Sequence, residues 1–268
     1  MTTIEINPSP MESTTLPRVR MFGIDIDLVN MDDAIQQVAM WLDEPQDVCR
    51  FVVTPNVDHA VMVQEHEGLR RVYDDAHLVL ADGLPIILAS RLLKKGLPQR
   101  VAGSELVPLL MERMPRERQL RVYLLGAGPG VAGRAAAKIA EQWPGVQVVG
   151  TYSPPLGFEK DPEEEARILQ KLRDAEPELL VVGLGAPKQE LWVHKHFHDL
   201  PAKVALCVGA TIDFIAGEKQ QAPVWMRRTG LEWFHRMMSE PRRLAKRYAK
   251  DAWIFPRLVW REWRGWAR

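Results

Sequence analysis

The chain has 268 residues, 46% of them apolar, with 35 Lys/Arg set against 35 Asp/Glu. That length and apolar content support one large core or two modest ones and exclude a disordered chain. The formal neutrality hides a polarised molecule: residues 225 to 268 hold twelve Lys/Arg, four acids and six of the nine tryptophans, a local net of +8, so residues 1 to 224 carry −8.

In chain order, Met1 to Pro17 is polar and rich in Ser, Thr and Pro. It lacks the positive start and apolar run of a signal peptide and is expected to be a flexible tail. A β-rich run from Arg20 to Leu28 reads as the first strand. Asn30, with Asp33 three positions on, then caps a helix whose Ala34, Ile35, Val38, Met40 and Trp41 face inward. Further strands are predicted at Arg50 to Val53, Leu78 to Ala81, Leu120 to Leu125, Val146 to Thr151, Leu179 to Gly183 and Val204 to Val208, with helical patterns between them. This alternation predicts an α/β, Rossmann-like fold with a largely parallel sheet flanked by helices. The apolar stretches are broken by Gly or charge well short of the roughly 20 residues that a spanning helix needs. Cys49 and Cys207 show no metal or redox spacing, which suits core packing in a reducing cytoplasm.

In open parallel sheets ligands gather at the carboxyl ends of the strands, so the residues after each run matter most. These are Thr54-Pro55-Asn56, Ala81-Asp82-Gly83-Leu84-Pro85, the glycine turn from Gly126 to Gly133, Gly183-Leu184-Gly185 with Pro187-Lys188-Gln189-Glu190, and Gly209-Ala210 with Asp213. Asp82 reads either as a helix cap or as a partly desolvated general base. Thr54 and Asn56 could orient a sugar hydroxyl or simply close turns. Arg100 precedes a helix capped by Gly103 or Ser104 and is a solvated arginine or a phosphate ligand. Gly128 to Gly133 matches a dinucleotide fingerprint, but the acid that grips a ribose some 20 residues on is missing, so an NAD-dependent oxidoreductase is the lesser reading. Asp25-Ile26-Asp27 lies before a capped helix with no supporting carboxylates, and His194, His196 and His198 lack a third ligand; no metal is expected.

Toward the end, Arg257, Arg261, Arg264 and Arg268 form a helical stripe flanked by Trp253 and Trp260, while Arg243, Arg247 and Lys250 form another before Pro256 interrupts the helix. Tryptophan beside arginine suits a membrane interface, and the apolar groups Ile254, Phe255, Leu258, Val259, Trp263 and Trp266 fill the remaining circumference. A basic helix tracking nucleic acid, or a non-enzymatic adaptor, is the rival reading. Three segments are expected: a tail at 1–17, an α/β domain at 18–222 and a membrane-associating helical appendage at 223–268.

Together with Arg100-Val101-Ala102-Gly103-Ser104-Glu105, the strand-end motifs resemble, in order and spacing from about Val19 to Tyr248, the WecG/TagA/CpsF glycosyltransferases, glycosyltransferase family 26. The resemblance implies inverting, metal-independent transfer of a sugar (N-acetylmannosamine, its uronic acid or glucose) from a UDP donor to a polyprenyl-diphosphate-linked sugar, in building a surface polysaccharide or teichoic-acid linkage unit. It implies no cofactor and no nucleic acid, and a peripheral place on the inner face of the cell membrane. Carried onto this chain, it makes Asp82 the base that takes the acceptor hydroxyl's proton. Thr54, Asn56, Arg100, Gln189 and Glu190 would hold substrate, and Gly126, Gly128, Gly185 and Asp213 the nucleotide. Arg236, Arg243 and Arg247 would reach the lipid diphosphate.

Overall fold

A computed structural model describes residues 16–223, 225–226, 231–239 and 241–266, without the side chains of Pro241, Arg243 and Trp266. The expected tail at 1–17 therefore lies almost wholly outside the described residues.

The first predicted strand is two. β1 (Arg18–Met21) turns at Phe22-Gly23 into antiparallel β2 (Ile24–Asp27), with Met21 opposite Ile24. Phe22 and Gly23 both take positive φ, 55° and 84°, the conformation of a two-residue hairpin turn that glycine makes cheap. Asp25 and Asp27 belong to ion pairs across this hairpin, with Arg20 and Arg18 respectively. Asp27 Oδ2 also accepts from the Val79 amide at 2.7 Å, which fastens the hairpin to the main sheet.

Asn30 caps α1 (Met31–Asp43) as predicted, accepting from the Asp32 and Asp33 amides while Asp33 returns a bond to the Asn30 amide. The chain then alternates strand and helix: β3 (Arg50–Val53), α2 (Val57–Met62), α3 (Glu67–Asp75), β4 (Leu78–Val79), α4 (Leu84–Leu92), α5 (Gly103–Glu112), β5 (Leu120–Gly126) and α6 (Val131–Gln142). After these come β6 (Val146–Tyr152), α7 (Pro162–Ala175), β7 (Leu179–Gly183), α8 (Lys188–His196), β8 (Val204–Cys207) and α9 (Thr211–Ala216). β3 to β8 form one six-stranded sheet, ordered β4-β3-β8-β7-β5-β6, in which every pairing is parallel. The fold is the Rossmann-like α/β architecture that the alternation predicted.

Alternate strand residues face opposite layers. Phe51, Val53, Leu180, Val182 and Cys207 pack under α2, α3, α4, α7 and α8. Val52, Leu124, Val181 and Leu206 pack under α1, α5, α6 and α9. β5 sends its following helix to one face and neighbouring β7 to the other, so their carboxyl ends part to leave a crevice. Cys49 and Cys207 are buried free thiols in this core, and burial pushes Cys49 up to about 12.

Beyond the sheet come α10 (Glu232–Ser239) and α11 (Pro241–Trp266). Pro256 was expected to interrupt the last helix, yet α11 runs through it. Phe255 packs edge-to-face on Phe22 with ring centroids 5.1 Å apart, and Leu258 is buried in the same core as α2 and α4. Full burial of a side chain such as Leu258 is worth about 1.5–3 kcal/mol, and with the partly buried Phe255 it offsets much of the roughly 3 kcal/mol that an internal proline costs. Arg261 Nη2 donates to Gln64 Oε1 at 2.7 Å and Lys250 pairs with Glu65 at 2.9 Å on the same side. The apolar stripe of this helix thus meets the protein, while Trp253, Trp260 and Trp263 stay exposed with Arg257 and Arg264 stacked on the first two. Among the described residues no helix is long and apolar enough to cross a membrane.

Candidate active site

The carboxyl ends of β3 and β4 bring Asn56 and Asp82 together, because the Asp82 amide bonds to Pro55 O at 2.9 Å. Asp82 does not cap α4: the cap residue is Gly83, at φ 113°, and no side chain bonds there. Its carboxylate is left free to face the site. The Val101 amide bonds to Ala81 O at 2.8 Å, which draws the following loop alongside and places Arg100 Nη1 3.7 Å from Asp82 Oδ1. Arg100 Nη2 donates to Glu105 Oε1 at 2.7 Å, and its Nη1 is 3.6 Å from Glu232 on α10. Burial, and after it the nearby Glu232 charge, pushes Asp82 up to about 6 against the opposing pull of Arg100 and Arg236.

Two cavities share Asp82 in their walls. One, of about 420 Å³, runs along the sheet edge over Thr54, Gly128, Gly185, Gln189, Gly209 and Asp213. The other, of about 280 Å³, lies between the sheet body and the C-terminal helices, bounded by Leu84, Pro85, Trp233, Tyr248 and Phe255 with Arg100, Glu232 and Asp251. Asn56, Asp58, Arg236 and Arg247 border both. Arg236 pairs with Glu232 at 3.0 Å and lies over the Phe214 ring; Arg247 reaches Asp58 at 3.5 Å.

Several residues chosen for ligand contact are engaged with the protein itself. Thr54 Oγ1 donates to Cys207 O at 3.2 Å, tying β3 to β8. Asn56 Oδ1 caps α2, accepting from the Asp58 and His59 amides at 3.0 and 3.4 Å, and the Asn56 amide donates to His59 Nδ1 at 3.3 Å to complete a capping box. His59 Nε2 lies 3.3 Å from Glu190 Oε1, which accepts from Gln189 Nε2 at 2.7 Å, and Gln189 Oε1 accepts from the Gly209 amide at 3.2 Å. Burial alone would lower the His59 imidazole, but the bond to Glu190 and its charge raise it. This chain of contacts holds the ends of β3, β7 and β8 in fixed relation. Glu190 and Gly126 line neither cavity: Glu190 is buried in the contact chain, and a Cβ on Gly126 would sit 2.4 Å from Gly183 O. Gly185 and Gly209, at φ 81° and 56°, have open space where a Cβ would stand and so bare their backbone to the cavity.

Other sequence expectations change. The helix after Arg100 is capped by Ala102 without a side-chain bond, and a Cβ on Gly103 would lie 2.7 Å from Val208, so that glycine serves packing. α8 ends at His196, so the three histidines do not share one helix; His194 pairs with Asp75 at 2.7 Å. Where a dinucleotide fold offers an acid to a ribose, Ser153 closes on the glycine turn, its Oγ donating to Gly126 O and Gly128 O at 3.0 and 3.2 Å. Arg236 and Arg247 both reach the site, while the Arg243 side chain lies outside the described residues.

Sequence reading missed His59, Asp58, Glu232 and Asp251. His59 carried a signal, as the residue three after a capping Asn. Asp251 carried a weaker one, an acid four residues after Arg247 in a basic stripe. Glu232 is joined to the site only by the tertiary fold.

Comparison with known proteins bears on this geometry. The model of the Glycosyl transferase WecG/TagA/CpsF family matches residues 19–268. A protein of Bacillus spizizenii (strain ATCC 23059 / NRRL B-14472 / W23), named N-acetylglucosaminyldiphosphoundecaprenol N-acetyl-beta-D-mannosaminyltransferase, is 31% identical over 193 residues, 72% of this chain and 72% of its own. One of the same name from Staphylococcus aureus (strain MRSA252) is 26% identical over 235 residues, 88% of this chain and 90% of its own.

Proposed function

The chain belongs to the WecG/TagA/CpsF glycosyltransferase family, and from that premise we propose that it transfers a sugar, with inversion, from a UDP donor to the sugar of a polyprenyl-diphosphate-linked acceptor. The relatives' names give an N-acetyl-beta-D-mannosaminyl group as what they move and N-acetylglucosaminyldiphosphoundecaprenol as their acceptor, which supports the substrate class and a place in building a cell-envelope polymer. One observation carries the reading: Asp82 stands in the wall common to a polar cavity along the sheet edge and a more apolar one under the C-terminal helices.

In this reading the nucleotide lies along Gly128 and the open backbone of Gly185 and Gly209, with Asp213 beside it, and the acceptor enters from the second cavity. Asp82 takes the proton of the acceptor hydroxyl as its oxygen bonds to the anomeric carbon, and the bond from that carbon to the diphosphate breaks on the opposite face. Single displacement of this kind inverts the centre. A base with its pKa raised toward neutral is matched to the task and contributes roughly 10² to 10⁴ in rate. Charge on the departing diphosphate is met by Arg236, Arg247 and helix N-termini rather than by a metal, an assignment supported by the cations that border the cavity. Activity is expected to persist in a chelator.

The proposed division is a catalytic unit at 18–222 and an appendage at 223–268 that holds the enzyme on the inner membrane face. Exposed Trp225, Trp233, Trp253, Trp260 and Trp263 beside exposed Arg257 and Arg264 support that placing, since indole and guanidinium together suit the headgroup layer of a bilayer. The test is a panel of UDP-sugars incubated with a prenyl-diphosphate-linked N-acetylglucosamine and assayed for UDP release. Asp82→Asn should lower transfer by roughly 10² to 10⁴ while leaving UDP affinity intact. Undiminished transfer by that variant would remove the base assignment.

A further inference from the structure

Of the two acids on the last helix, α11, Glu262 accepts from the Phe22 amide, while Asp251 has no hydrogen bond and no task in the transfer reaction as described. It is 4% exposed, and neither carboxylate oxygen has a hydrogen-bond partner. It lies in the wall of the 280 Å³ cavity that Asp82 shares, but not in that of the sheet-edge cavity. Arg247, one helical turn earlier, attracts it without bonding to it, and pairs instead with Asp58 at 3.5 Å. A carboxylate stripped of water and left unbonded is costly, and native structures retain such groups where a ligand completes them. The same cavity wall holds three further buried atoms without a hydrogen bond: Arg100 Nη1, which has only the looser ion pairs with Asp82 and Glu232, Arg236 Nε and Arg247 Nε. With the two oxygens of Asp251 they make five of the ten such side-chain atoms among the described residues. Half of the unmet hydrogen-bonding atoms among the described residues thus lie on this one cavity.

Resting on the proposed transferase reading, we propose that Asp251 recognises the acceptor sugar, accepting hydrogen bonds from its hydroxyl or amide N–H donors and so setting which acceptors are used. The chemistry fits the partners available. A carboxylate accepts from two donors at once, as vicinal hydroxyls or a hydroxyl and an acetamido N–H present them. Burial, with the charge of Asp58 next, pushes Asp251 up to about 6, so it is mostly ionised at pH 7 and acts as an acceptor. The aromatic faces of Trp233 and Tyr248 border the same cavity and suit the apolar face of a sugar ring. The sugar's nucleophilic hydroxyl would then face Asp82 from the acceptor side, while the guanidinium groups of Arg236 and Arg247, which border both cavities, would lie between its diphosphate and that of the donor.

The experiment compares wild type, Asp251→Ala and the near-isosteric Asp251→Asn on a short-chain prenyl-diphosphate N-acetylglucosamine. It adds analogues in which one hydroxyl is replaced by hydrogen, or the acetamido group by hydroxyl. Expected for Asp251→Ala is an acceptor KM raised about 10- to 100-fold, the range for losing hydrogen bonds to a charged group, with donor KM and UDP affinity unchanged. The penalty that wild type shows for one of the analogues should vanish in the variant, a loss of discrimination that a merely structural role would not produce. Should Asp251→Ala fail to fold, Asp251→Asn reads the same discrimination with the shape preserved. Full retention of the analogue penalties, or an unchanged acceptor KM, overturns the assignment while leaving the transferase reading in place. Absence of acceptor-dependent UDP release by wild type with every donor overturns both.

Discussion

At the strand ends of the sheet body, polar side chains close on one another: Asn56, His59, Glu190, Gln189 and the Gly209 amide make an unbroken run of contacts. Where α10 and α11 meet that body, the groups sit among opposite charges, and Arg236, Arg247 and Asp251 keep buried atoms without hydrogen bonds. The surfaces differ as well. Of eleven large hydrophobic side chains exposed among the described residues, eight belong to residues 225–263. The contrast is one of degree: the run at the strand ends leaves Glu190 Oε2 without a hydrogen bond, whereas in the seam both oxygens of Asp251 and a nitrogen of each arginine go without. The sheet body fixes its geometry internally, and the C-terminal helices present one face of unmet charge to a buried seam and another of tryptophan to the outside.

The largest effect that would sharpen this contrast lies in the seam. Arg236→Ala combined with Arg247→Ala should lower kcat/KM by about 10² to 10³, the range for removing donors from a developing negative charge, with far-UV circular dichroism unchanged. A loss of only a fewfold would make these arginines bystanders. The outer face comes next. Replacing Arg257 and Arg264 by Ala removes two exposed cations worth about 1 kcal/mol each at an anionic surface, so binding to phosphatidylglycerol-containing vesicles should weaken about 30-fold. Trp253→Ala and Trp260→Ala should weaken it further, and unchanged vesicle binding would break the comparison. The smallest effect belongs to the sheet body: Asn30→Ala removes the cap of α1 and should cost about 1 kcal/mol in a denaturant titration while transfer proceeds at the wild-type rate.

How much of this was legible in the sequence follows from the range of the interactions. β3, β5, β7 and β8 stand within a residue or two of their predicted spans, and the α1 cap matches residue for residue, because these features are set by neighbours in the chain. The Phe22-Gly23 turn was hidden by β-branched and aliphatic residues on either side; Gly23 was its one local mark. That α11 lays Phe255 and Leu258 on the core rather than in lipid depends on Phe22 and α2, which no periodicity within the helix reveals. The same distance effect explains the site. Asp82, Arg100 and Gln189 stand at strand ends or loops where sequence reading looks for ligands, whereas Glu232 and Asp251 reach the cavity only because distant helices fold across it.

Asp82 acting as the base at the junction of the two cavities is tested most directly by the pH dependence of kcat/KM for transfer. Burial pushes Asp82 up to about 6, and a base works only when ionised, so the rate should be level above pH 7 and fall about tenfold per pH unit below about 6. That acid limb should persist in Asp251→Asn, whose own carboxylate, also pushed up to about 6, is gone, and be absent from the residual activity of the double variant Asp82→Asn/Asp251→Asn. An Asp251→Asn rate that is flat from pH 5 to 8, or the same limb in the double variant, would contradict it.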